Sequence, residues 1–209
     1  MKRTELSILI GLILSIIISS FSAFASDCGQ IEKTVLRLHI LANSDSKEDQ
    51  ELKIAVRDAV LKESGNLFEN AKNLEDAKTL AEKNIDKIKK TAKAEIKRQG
   101  YDYEVRAYIC EMFFEARHYE NYTLPAGKYK AVRIEIGRAE GKNWWCVLFP
   151  PLCLSAASAN DDQSNEDAFI SVGLTGEQYR VITETDNVKY RIRFKLLETV
   201  QGLLGKGQS

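Results

Sequence analysis

The residues best suited to chemistry in this chain gather in one short stretch: Arg37, His39, Asn43, Asp45 and Asp49. A histidine close to two carboxylates has the makings of a general base, with His39 oriented by Asp45 or Asp49 and Arg37 placed to hold an anionic group. The same residues have a plainer use. Ser46, Asp45 and Asp49 are helix-capping types, and Arg37 and His39 on the polar side of a strand would pair with local carboxylates. No nucleophile is apparent, so the plainer use takes precedence and a secreted hydrolase using His39 with Asp45 or Asp49 stands as the alternative.

His39 and His118 are the only histidines, and neither has H-E-x-x-H or comparable ligand spacing. No P-loop, G-x-S-x-G elbow or dinucleotide fingerprint is present either. No metal, cofactor or catalytic residue is therefore assigned. A second group of interest is aromatic: Trp144, Trp145 and Phe149, followed by Pro150-Pro151. Neighbouring strand residues point to opposite faces, so the two tryptophans cannot share one core face, and an exposed one beside a rigid bend would suit a protein contact. A sheet covered on both sides is the other reading of the same run.

Cys28, Cys110, Cys146 and Cys153 allow three pairings if all four react. Cys146 and Cys153, separated by Val-Leu-Phe-Pro-Pro-Leu, suit a bend rather than a ligand knuckle and are the candidate disulfide; buried free thiols are the alternative.

The elements that must position these groups are legible from periodicity. Val35 to Leu41 alternates as a strand, Asn43 to Ser46 supplies a turn and N-cap, and Leu52, Ala55, Val56, Ala59 and Val60 form the stripe of a helix that Gly65 would stop. Asn73 caps a second, longer helix running to Gly100. Strands follow at Val105 to Phe114, Tyr129 to Ile136 and Trp144 to Phe149, the middle one with Ala131, Arg133 and Glu135 on a wet face. Gly137 to Asn143 reads as a hairpin connector between the last two. Residues 154–168 read as a polar loop, Gly176 to Thr185 as a short helix, and Tyr190 to Leu204 as a terminal helix packed through Ile192, Leu196, Thr199, Val200 and Leu203. The expected fold is α+β, a single globular domain with a mainly antiparallel sheet, two N-terminal helices and a C-terminal one.

Residues 1–25 read as an export signal. Lys2 and Arg3 precede the apolar Leu6 to Phe24, and Ala23-Phe24-Ala25 offers a small-x-small cleavage pattern, which would leave a mature domain over 26–209. An uncleaved anchor is the alternative, because the stretch nearly spans a bilayer. Thirty basic residues balance thirty acidic ones, so no global field draws the chain to nucleic acid or anionic lipid.

Two strings carry a resemblance. One runs Arg37-Leu38-His39-Ile40-Leu41-Ala42-Asn43-Ser44-Asp45-Ser46 and on through Glu48-Asp49-Gln50, Leu52-Lys53 and Val56-Arg57-Asp58-Ala59-Val60. The other joins Leu124-Pro125-Ala126-Gly127 to Gly141-Lys142-Asn143-Trp144-Trp145-Cys146-Val147-Leu148-Phe149-Pro150-Pro151-Leu152-Cys153. On these the chain resembles the stage II sporulation protein R family. The resemblance implies a non-enzymatic signalling protein, exported into the space between the two sporangial membranes. There it would activate a membrane-embedded aspartic protease, stage II sporulation protein GA, which processes the precursor of sigma-E. Contact with the outer face of a membrane would come through that partner. Arg37, His39, Asn43, Asp45, Trp144, Trp145 and Phe149 are the candidate partner-binding residues.

Overall fold

A computed structural model describes residues 3–64, 67–68, 70–119, 121–152, 162–184 and 188–205. In chain order the elements are α1 (Arg3–Glu32), β1 (Leu36–Leu41), α2 (Lys47–Ser64), α3 (Leu74–Lys83), α4 (Ile85–Arg98), β2 (Val105–Phe114), β3 (Arg117–His118), β4 (Thr123–Leu124), β5 (Gly127–Ile136), β6 (Asn143–Phe149), α5 (Asp162–Ser171), α6 (Gly176–Thr183) and α7 (Val188–Gly205). The α+β expectation holds. The chain divides into two compact units.

The larger unit comprises Lys33–Phe113 and Lys128–Leu174. Its four-stranded sheet has the order β2-β5-β1-β6. β1 runs parallel to β5, with Leu38 opposite Val132, and antiparallel to β6, with His39 opposite Trp145. The sheet is thus mixed, with β1 as the strand that pairs in both senses. Leu36, Leu38 and Ile40 of β1 and Val132, Ile134 and Ile136 of β5 point to one face, where Leu52, Val56 and Val60 of α2, Ala77 and Ala81 of α3, and Ile88, Ala92 and Ile96 of α4 close over them. Each fully buried valine, leucine or isoleucine side chain there contributes about 1.5–3 kcal/mol of transfer free energy.

Local chemistry sets the helix ends. The Asn73 side chain accepts the Asp76 N–H at 2.9 Å, as expected of an N-cap. The long helix expected from there to Gly100 is broken at Asn84, whose backbone sits at φ −110°, ψ 8° and whose amide donates back to the Leu80 carbonyl at 2.8 Å. That local bond competes with helix continuation. At the far end Gly100 takes φ +87°, so that its own N–H reaches the Lys97 carbonyl and the Tyr101 N–H reaches that of Ile96, a Schellman closure.

Three further expectations are corrected. Gly137 to Asn143 is not a tight hairpin, because β1 lies between β5 and β6 and the connector must pass across the end of β1. The second face of β5 is not wet: Ala131 is fully buried and Glu135 is 6% exposed. The polar loop is helical from Asp162 onward, anchored by the buried Phe169 and closed by Gly173 at φ +106°; the rest of that loop, with Gly65, lies outside the described residues.

The smaller unit comprises Met1–Glu32, Phe114–Gly127 and Thr175–Ser209. β3 and β4 pair as a two-residue ribbon, Arg117 opposite Leu124 and His118 opposite Thr123. α6 starts from a complete capping box between Thr175 and Gln178. Among the described side chains of α7, Phe194 and Leu197 are buried, whereas Ile192 and Leu196, expected on its packed face, are 62% and 51% exposed; the side chains of Val200 and Leu203 lie outside those described. The apolar period is present, but the aromatic at 194 rather than the aliphatics on either side meets the core.

Candidate functional site

The segment that leaves β1 is tied to the connector that crosses it. Antiparallel β5 and β6 lie two strand spacings apart, about 10 Å, and residues 137–142 bridge that gap over the turn at Ala42 to Asp45. Four connector N–H groups donate downward: Arg138 to Asn43 Oδ1 at 3.0 Å, Glu140 to the Asn43 carbonyl at 3.3 Å, Gly141 to the Ala42 carbonyl at 3.0 Å, and Lys142 to Asp45 Oδ1 at 2.6 Å. The Lys53 ammonium reaches up from α2 to the Lys142 carbonyl at 2.9 Å. At Gly137 a Cβ would strike the Asn43 amide, and at Gly141 it would strike the Ser44 carbonyl.

Beneath this, Asp49 organises the start of α2. Its Oδ2 accepts Asn43 Nδ2 at 2.8 Å and Ser44 Oγ at 2.6 Å, and its N–H is capped by Ser46 Oγ at 3.2 Å. Burial pushes this carboxyl up, but the bonds from Ser44, Asn43 and Tyr103 outweigh it and hold it below its usual range. Asn43 donates with one end of its amide and accepts with the other, a pair of roles that a carboxylate could not fill. Asn43, Asp45 and Asp49 therefore form a latch, each with a side-chain oxygen bonded within the fold.

Arg37 and His39 point to the other face of the sheet. Arg37 is fully buried, its guanidinium 5.0 Å from the Tyr129 ring centroid and 6.0 Å from that of Trp145. His39, 2% exposed, meets the Trp145 ring edge to face at 5.7 Å and 77°. Burial, with the Arg133 and Arg37 charges, lowers the His39 pKa from 6.5 to about 4 against the opposing Asn143 hydrogen bond and Glu135 charge. At neutral pH the ring is uncharged and a weak base, which disfavours the hydrolase alternative.

On the same face lies a group that sequence reading missed. Glu135 accepts Tyr108 Oη at 2.9 Å and Arg133 Nε at 2.8 Å, and pairs with Arg106 at 2.8 Å. Burial raises its carboxyl, while the Tyr108 and Arg133 bonds and the two guanidinium charges prevail and lower it. The signal was there in the polar positions 133 and 135 of β5, but alternation alone reads them as solvated.

The tryptophans divide as alternation requires. Trp144 lies on the helix side under the Arg57 guanidinium, 4.3 Å from its ring centroid, and Trp145 lies on the His39 side. Both are half-buried, so neither is a freely exposed anchor. Phe149 is 2% exposed and packs near Phe68 at 6.4 Å, which makes it a core residue with no face left for a partner. Cys146 is disulfide-bonded and Cys28 and Cys110 are free; Cys153, the partner expected for Cys146, lies outside the described residues.

The family model for stage II sporulation protein R (spore_II_R) matches residues 32–159, which include the latch, the Arg37 and His39 strand and the Trp144 strand. The chain belongs to the stage II sporulation protein R family. It is 38% identical over 141 residues to stage II sporulation protein R of Bacillus subtilis (strain 168), a match covering 66% of this chain and 63% of that relative, less than two thirds of its length. No solved structure matches. The apolar α1 is compatible with the export signal of a sporulation signalling family.

Proposed function

We propose that this chain is an exported, non-enzymatic signalling protein that switches on a membrane-embedded aspartic protease, the stage II sporulation protein GA type, which then processes the precursor of sigma-E. Family membership over the sheet and latch carries this reading. The geometry agrees with it in one respect: Asn43, Asp45 and Asp49, which a sequence reader could assign to catalysis, are bonded into the tie between β1, α2 and the connector. A contact protein needs such a rigid body, because it shifts its partner only through different affinities for the inactive and active arrangements.

Trp145 and Arg133 are the proposed contact residues, since both are half-buried rather than sealed and they flank His39 in the sheet register. The test is to co-express the chain with the protease and the sigma-factor precursor in a non-sporulating host. Processing that requires the chain supports the reading. Precursor cut equally well without it, or left uncut with it, ends the reading.

A further inference from the structure

β2 lies at one end of the four-stranded sheet, beside β5. It is the longer of the two end strands, ten residues against seven in β6. An end strand carries a row of unpaired N–H and C=O groups, and proteins usually blunt such a row with lysine, proline, a bulge or a covering segment. β2 reads Val-Arg-Ala-Tyr-Ile-Cys-Glu-Met-Phe-Phe, with neither lysine nor proline. Its two charges are met by β5, Arg106 pairing with Glu135 at 2.8 Å and Glu111 with Lys130 at 3.7 Å. Among the described residues, no backbone group outside the sheet bonds to residues 105–113. Tyr108 and Phe113 stand open on this strand, 39% and 38% exposed.

One bond fixes which groups face outward. The Glu104 carbonyl accepts the Gly137 N–H at 2.9 Å, so position 104 bonds toward β5. Bonding direction alternates along a strand, which turns the N–H and C=O of Val105, Ala107, Ile109, Glu111 and Phe113 outward. The side chains show that the alternation is unbroken. Arg106 and Tyr108 reach Glu135 and Met112 reaches Arg133 on one face, while Glu111 reaches Lys130 on the other.

The outward positions are symmetric about Ile109. Laid antiparallel against a second β2 with Ile109 opposite Ile109, the row meets its own copy over its whole length. Val105 then lies opposite Phe113 and Ala107 opposite Glu111, and on the other face Tyr108 lies opposite Cys110 and Arg106 opposite Met112. No like charges are opposed. An axis at Glu111 would set two carboxylates against each other, which is destabilising, and an axis at Ala107 would run the pairing past the start of the strand.

We propose that β2 pairs with β2 of a second copy of this chain, antiparallel about Ile109, so that two sheets become one. Such a contact is isologous: each copy covers the other's open edge and assembly stops at two.

The test follows the mass of the exported full chain by sedimentation over a range of concentration. Wild type should pass from one copy to two and no further. Ala107→Pro deletes an outward N–H without removing a bond to β5, a place where a sheet tolerates proline. The dimer should then loosen by about tenfold or more, because each copy loses a bond. Under mild oxidation Tyr108→Cys should couple to Cys110 of the second copy, since Cα atoms opposed in this way lie about 4.5 Å apart, within disulfide reach. Wild type should stay uncoupled, because the diagonal between the two Cys110 positions is about 7–8 Å. Should Ala107→Pro fail to fold, the coupling decides alone. A chain that is monomeric throughout would leave the edge to a strand of another protein and overturn the proposal. So would a folded Ala107→Pro chain that pairs as tightly as wild type, a dimer in which Tyr108→Cys stays uncoupled, or growth beyond two copies. None of these readings involves precursor processing, so they bear on the pairing alone.

Discussion

The Asp45 carboxylate accepts the Lys142 backbone N–H at 2.6 Å across 97 positions of sequence, joining the turn that leaves β1 to the connector that crosses above it. This bond exists because β1 is threaded between β5 and β6. The Arg138, Glu140 and Gly141 bonds follow from the same threading, while Asn43, Ser44 and Asp49 are tied locally beneath them.

Asp49→Ala removes the acceptor of two side-chain donors in a part-buried setting, and leaving such groups unsatisfied costs about 1–3 kcal/mol. The urea midpoint should fall accordingly with an unchanged slope. Asn43→Asp should be at least as damaging, because it sets a second carboxylate against Asp49. A midpoint for Asn43→Asp equal to wild type would remove the latch from the account.

Glycine substitutions separate steric need from backbone need. Gly141→Ala drives a methyl into the Ser44 carbonyl and the Ala42 side chain, so it should destabilise by about 2 kcal/mol or more. Gly100→Ala meets open space, and only its φ of +87° is unfavourable, which predicts about 1 kcal/mol. Thermal or urea unfolding of the two variants should rank them in that order; the reverse order would contradict the close approach.

Acid should weaken the fold in two stages. His39 binds its proton near pH 6.5 when unfolded and near 4 when folded, so as pH falls the unfolded state gains protons first. Stability contributed by the neutral ring is whole above 6.5, declines between 6.5 and 4, and totals about 3 kcal/mol. From the lower end of that window downward, the lowered carboxyls of Glu135 and Asp49 add a second loss, as in the unfolded state they take up protons first, near 4.5 and 3.8. His39→Gln should flatten the first stage alone in urea midpoints taken from pH 7 to pH 4. An unchanged slope would mean that His39 is not held neutral by burial.

The two tryptophans should separate stability from signalling. Trp144→Ala strips the cover beneath Arg57 and should lower stability by about 2–3 kcal/mol. Trp145→Phe keeps a ring against His39 and should leave the unfolding midpoint within about 1 kcal/mol of wild type while reducing precursor processing in the co-expression assay. Full processing by a folded Trp145→Phe chain would take Trp145 out of the contact.

Much of the fold is written in local pattern. The strand at Leu36–Leu41, the Asn73 cap and the Gly100 stop all follow from short-range chemistry. Strand order does not, because nothing near Tyr129 to Phe149 announces that a strand some ninety residues earlier will part β5 from β6. The same threading misled the site reading. Arg37, His39 and Glu135 alternate with apolar neighbours as solvated residues do, yet they are buried. Asn43, Asp45 and Asp49 meet at one turn while Arg37 and His39 lie on the other face; capping chemistry and catalytic chemistry use the same residue types, and only geometry tells them apart.

The central claim is that this body acts by contact from outside the cytoplasm. It is tested most directly by comparing precursor processing in co-expressing cells that carry the wild-type chain or a chain whose apolar helix is interrupted by Ile13→Lys and Ile16→Lys. The account predicts processing with the first and none with the second, at equal levels of folded protein. Equal processing by the chain held inside the cell would contradict it.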